Sequence, residues 1–143
     1  MPMLRRLALI VLSFILVITP VLAGACSLQS KAITTVTDVS PAEAYALVIS
    51  RTGDPQFVIL DVRTPAEFAS GHIQNAVNVD FYSKDFRNEI DNLDRQKVYL
   101  VYCRTGNRSL KAIEVMKDLE FETVYHMADG ITAWVAEGLT TVK

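Results

Sequence analysis

Cysteine and histidine are scarce in this chain, two of each in 143 residues. So few ligating side chains argue against a metal site, and two cysteines cannot build the dense disulfide framework of a small secreted domain. Basic residues are neither abundant nor clustered: 14 Lys and Arg stand against 16 Asp and Glu, a formal net charge of -2. That balance argues against a nucleic-acid partner, which would require a clustered basic face. No internal repeat, low-complexity tract or heptad stripe is visible, so a monomer is expected. No cofactor is called for.

The N-terminal part has its own pattern. Residues 1–6 contain two Arg, residues 7–22 are almost wholly apolar, and the small residues Ala23, Gly24 and Ala25 follow. This order is the layout of a secretory signal, and the 16-residue apolar run falls short of the ~20 residues of a membrane span. A signal peptide is therefore expected over 1–25, with the cut before Cys26. Leu22-Ala23-Gly24-Ala25-Cys26 resembles the lipobox of bacterial lipoproteins, although Ala23 stands where the stricter pattern has Leu. Cys26 is the expected lipidation site, with plain secretion as the alternative. Residues 26–34 read as a polar tether. The expected location is the periplasmic or cell-surface side, with a lipid anchor in the membrane. Without the leader, 12 basic residues face 16 acidic ones, a net charge of -4.

Residues 35–143 read as one domain. Ser40-Pro41-Ala42-Glu43 and Thr64-Pro65-Ala66-Glu67 each combine a hydroxyl cap, a Pro at the first helical position and a Glu that completes a capping box. Thr35–Val39, Phe57–Val62, Ala76–Val79, Val98–Tyr102 and Val124–Met127 read as short strands. Helices are expected after both capping boxes, over Lys84–Leu93, over Ser109–Leu119 with Leu110, Ile113 and Met116 inward, and over Ile131–Glu137. This alternation implies an α/β fold: a mainly parallel central sheet with helices on both faces and the ligand site beyond the strands' carboxyl ends.

One segment concentrates the chemistry. Cys103 directly follows the run Val98–Tyr102, and Arg104, Thr105, Gly106, Asn107 and Arg108 lead into a helix. A tight loop there turns backbone N–H groups inward as an anion nest, and the helix N-terminus adds unpaired donors. Both favour a thiolate, as do the two Arg. Making a thiol more acidic by about 2 pKa units requires roughly 2.7 kcal/mol, within reach of such a loop without a neighbouring His base.

Cys103-Arg104-Thr105-Gly106-Asn107-Arg108-Ser109 resembles the active-site loop of rhodaneses. Asp61 to Phe68, Gly71-His72-Ile73 and Ala76-Val77-Asn78 look like that family's N-terminal signature, and Gly130 to Trp134 with Gly138-Leu139 like its C-terminal one. Family members often carry Gly-Gly before the last helix; Asp129-Gly130 stands here, and a local turn difference is expected. The resemblance implies a rhodanese-like fold and a two-step sulfur transfer. Cys103 would be the covalent sulfur carrier. Residues 104 to 108 would bind a thiosulfate-like anion, with Arg104 and Arg108 holding its charge. Asp61, Arg63 and Ser109 would be supporting residues, with no metal. The other partner would be a thiophilic acceptor such as cyanide or a thiol.

Two other functions compete. A membrane-tethered persulfide carrier or binding module would use the same loop to serve a protein partner. A Cys-based phosphatase or arsenate reductase would need five residues between Cys and Arg to hold a tetrahedral oxyanion. Only four separate Cys103 from Arg108.

Overall fold

In a computed structural model the described residues are 34–143. The leader over 1–25, the tether up to residue 33 and Cys26 lie outside the described residues. Ten elements alternate along the chain: β1 (Thr35–Val39), α1 (Pro41–Ser50), β2 (Phe57–Asp61), α2 (Pro65–Ser70), β3 (Val77–Asn78), α3 (Phe86–Asp91), β4 (Val98–Tyr102), α4 (Asn107–Asp118), β5 (Thr123–Met127) and α5 (Gly130–Ala136). The strands form one five-stranded sheet in the order β1-β5-β4-β2-β3, every pair parallel.

Both capping boxes are formed. The Ser40 hydroxyl accepts the Glu43 amide while Glu43 accepts the Ser40 amide, and Thr64 and Glu67 do the same. Each reciprocal cap satisfies amides the first helical turn leaves open and is worth about 1 kcal/mol. β4 is the central strand. Tyr99 and Val101 point to one face and Leu100 and Tyr102 to the other, all buried, which is why its sequence is continuously apolar. On one face Phe86, Ile90, Ile113 and Met116 from α3 and α4 close the core. On the other, Ala44, Ile131 and Trp134 from α1 and α5 close a second one.

Three local expectations change. The helix expected from Ser109 begins at Asn107, and its inward stripe is Ser109, Ala112, Ile113 and Met116. Leu110 is 52% exposed, because a helix facing the sheet through residues 109, 112, 113 and 116 carries 110 off that stripe. The strand at 76–79 shrinks to Val77–Asn78, and the helix at 84–93 to Phe86–Asp91.

The sheet order positions the site. β2 leads outward to β3 on one side, whereas β4 leads to β5 on the other. The loops leaving β2 and β4 therefore diverge, opening a crevice at the strands' carboxyl ends. Residues 62–64 form one wall and the Cys103 loop the other.

Candidate active site

Cys103 is the first residue past β4 and is only 1% exposed. Gly106 serves as the N-cap of α4 with φ 90° and ψ −26°. This left-handed turn folds the loop back so that the Gly106 amide donates to Cys103 Sγ at 3.1 Å. The Ser109 hydroxyl lies 3.5 Å from the same sulfur. Burial pushes the Cys103 pKa up; the Ser109 hydroxyl and the amides of Ser109, Thr105 and Arg108 outweigh it, leaving the thiol below its ordinary value.

The loop is clamped from behind by the start of α5. The Ile131 and Thr132 amides donate to the carbonyls of Cys103 and Arg104 at 2.9 and 3.1 Å. The intervening contact needs Gly130: a Cβ there would lie 2.4 Å from the Arg104 carbonyl oxygen. Asp129, at φ −85°, occupies ordinary backbone space, so a Gly at 129 is dispensable and the one at 130 is not.

Asp61 and Arg63 lie in the β2 wall as a buried pair. Arg63 Nε donates to both Asp61 oxygens at 3.0 Å, and Arg63 Nη2 donates to Asp61 at 2.6 Å and to the Gly71 carbonyl at 2.8 Å. Asn78 Nδ2 donates to the carbonyls of Asp61 and Arg63. These contacts tie β2, β3 and the following loop together. His72, stacked on Phe68 with its Nδ1 3.0 Å from the Phe68 carbonyl, braces the same wall.

The two loop arginines differ. Arg108 donates to both carboxylate oxygens of Glu67, at 2.7 and 2.8 Å, and lies over the Tyr82 ring at 5.6 Å. The Arg108 charge, expected to help hold the donor anion, is shared with the Glu67 carboxylate, which reaches it from α2. Tyr82 is 67% exposed at the rim. Arg104 is exposed, forms no ion pair among the described residues, and borders a cleft of about 450 Å³ lined also by Arg63, Glu67, Ile131, Thr132 and Val135. Thr105 and Asn107 are likewise exposed.

The Arg108 pair holds the Glu67 carboxyl at about 2, well below its ordinary 4.5, although partial burial opposes the shift. A depressed carboxyl stabilises the fold above the unfolded-state pKa and loses that contribution as pH falls through the folded one. Glu67→Gln should therefore lower stability at pH 7 by about 1–2 kcal/mol, allowing for partial solvent screening. The deficit should shrink between pH 4.5 and about 2. Urea denaturation of both proteins across that range checks it; a deficit that stays constant with pH would contradict the ion-pair origin.

Sequence reasoning missed two functional-site neighbours. Glu67 read only as a capping residue. His126 lies within the expected strand Val124–Met127 and carries no local motif, yet its Nε2 is 3.0 Å from Ser109 Oγ and its Nδ1 2.9 Å from Asp38 Oδ1. Neither partner is near in sequence, so no local spacing could have paired them.

Comparison with known proteins agrees with this fold. The family model described as Rhodanese-like domain matches residues 40–137. A sulfurtransferase of Allochromatium vinosum is 32% identical over 93 residues, covering 64% of this chain and 85% of that protein. A tRNA uridine(34) hydroxylase of Teredinibacter turnerae is 34% identical over 107 residues; the match covers 71% of this chain but only 32% of that longer enzyme. Among solved structures, a rhodanese-related protein of Thermoplasma volcanium superposes with a TM-score of 0.61 at 32% identity, covering 73% of this chain and 96% of the other.

Proposed function

This chain belongs to the rhodanese-like domain family, and on that premise we propose that it is a sulfurtransferase in which Cys103 accepts a sulfane sulfur from a small anion such as thiosulfate. The observation that carries this reading is the Cys103 sulfur itself, facing the Gly106 amide at 3.1 Å at the N-terminus of α4. In the first half-reaction the thiolate attacks the outer sulfur of thiosulfate. The donor's S–S bond breaks, sulfite leaves with the electron pair, and Cys103 becomes a persulfide. In the second, a thiophilic acceptor such as cyanide attacks the outer persulfide sulfur and the Cys103 thiolate leaves. No net proton or electron is consumed.

The loop amides and the helix end stabilise the anionic terminal sulfur. Arg104 is the better candidate for the donor's charge, since Arg108 is committed to Glu67. Work outside the cytoplasm, at a membrane through lipidated Cys26, belongs to the same reading and rests on the pattern of residues 1–26.

Mass spectrometry of the protein after thiosulfate treatment tests the proposal. One added sulfur atom is expected on the peptide that contains Cys103. No gain, or a gain on Cys26 instead, would overturn it.

A further inference from the structure

We propose that His126 is a positioning residue that holds Cys103 as a thiolate through the Ser109 hydroxyl, with Asp38 fixing the imidazole. The inference rests on Cys103 being the reactive thiol. A chain of contacts joins three elements and the loop. Asp38 on β1 lies 2.9 Å from His126 Nδ1, His126 Nε2 lies 3.0 Å from Ser109 Oγ on α4, and Ser109 Oγ lies 3.5 Å from Cys103 Sγ. His126 and Ser109 are 4% and 0% exposed, so water does not compete freely for these groups.

An ionised carboxylate only accepts, so Nδ1 carries a proton toward Asp38. The Ser109 hydroxyl has one hydrogen and three acceptors in range: the Gly106 carbonyl at 2.9 Å, Nε2 and Sγ. A neutral imidazole offers a bare Nε2 that draws this hydrogen away from the sulfur. When the thiol proton passes to Oγ and the hydroxyl proton passes to Nε2, every contact becomes matched. The imidazolium donates to Oγ and to Asp38, and the hydroxyl donates to the thiolate. The Gly106 carbonyl is not orphaned, because it also accepts the Leu110 amide at 2.9 Å. One proton leaves sulfur and one arrives on His126; nothing is oxidised. Persulfide discharge regenerates the thiolate directly, so the proton stays on His126 through turnover.

The surroundings suit this assignment. In the sheet His126 has Asp38 as its β1 partner and the apolar Val101 as its β4 partner, and α4 presents Ser109. Asp38 is the one charged side chain in hydrogen-bond reach of the imidazole among the described residues. The thiol, one hydroxyl away, is held below its ordinary pKa with the Ser109 hydroxyl as the largest favourable cause.

The test is the pH dependence of Cys103 alkylation by iodoacetamide, which reads ionisation and not sulfur transfer. It can therefore fail while the persulfide experiment succeeds, and the reverse. His126→Gln keeps a donor near Nε2 but cannot take the proton. Its alkylation rate at pH 7 is expected to fall about tenfold, with the midpoint about one pH unit higher. Ser109→Ala should behave alike, and the double variant should be no worse than either single, as members of one relay are non-additive. Asp38→Asn, whose side chain is 72% exposed and so safe for the fold, should shift the midpoint the same way by a smaller amount, about two- to threefold in rate. An unshifted midpoint in Asp38→Asn, or fully additive effects in the double variant, would overturn the proposal.

Discussion

Cys103→Ala is expected to abolish sulfur transfer and leave the fold standing. The sulfur atom is the covalent carrier in the proposed reaction, and neither Ser109 nor any loop amide can take its place as a nucleophile toward sulfur. Removing a nucleophile from a covalent mechanism costs on the order of 10³-fold or more, because the residual binding groups have no bond to make. The structural cost is small by comparison. Cys103 is 1% exposed and packs in the core with Leu60, Val62 and Val101, and exchanging a thiol for a hydrogen leaves only a minor void, about 1 kcal/mol. A thiosulfate:cyanide assay beside a thermal melt checks both halves. Turnover retained in a folded Cys103→Ala protein would sink the mechanism.

Gly106→Ala should damage both stability and activity. Gly106 sits at φ +90°, and an added Cβ would lie 1.8 Å from the Ala128 carbonyl oxygen. Backbone on both sides cannot retreat as a flexible side chain would, so the loop or the turn between β5 and α5 must move. Left-handed geometry alone costs ~1–2 kcal/mol for a side-chain-bearing residue. The displacement adds to it, and a total loss of about 3 kcal/mol or more is expected. Moving the loop also withdraws the Gly106 amide from Sγ, and losing one such donor costs about 10²-fold in rate. Gly138→Ala is the control. Gly138 has φ +77° with nothing within 4 Å of a built Cβ, so it should lose only about 1–2 kcal/mol with unchanged activity. Equal damage from both substitutions in denaturation and turnover assays would show that conformation alone, and not the Ala128 contact, governs the Gly106 position.

The resemblance in three spaced signatures covered residues that do their work locally, and those were legible. Ser40 with Glu43 and Thr64 with Glu67 announce helix starts because a capping box closes within four residues. Cys103 and Gly106 declare a tight thiol loop because the strand, the turn and the helix mouth are consecutive. Asp129, which stands where family members often carry Gly, has φ −85°, a backbone conformation open to any residue. Leu110 differs for a local reason too: apolarity points to it as the inward residue, while the fold places the small polar Ser109 inward against the sulfur.

Composition, periodicity and motif spacing were thus sufficient to determine the α/β class and the order of elements, and to single out Cys103 as the candidate thiol, since each follows from interactions spanning only a few residues. The long-range charge pairings around that thiol were decided by tertiary structure. Glu67 neutralises Arg108 across 41 positions, and Asp38 meets His126 across 88. The crossover connections of a parallel sheet bring strand ends from distant parts of the chain to one crevice. Which charges and protons meet there depends on register and packing, and neither is encoded in local sequence.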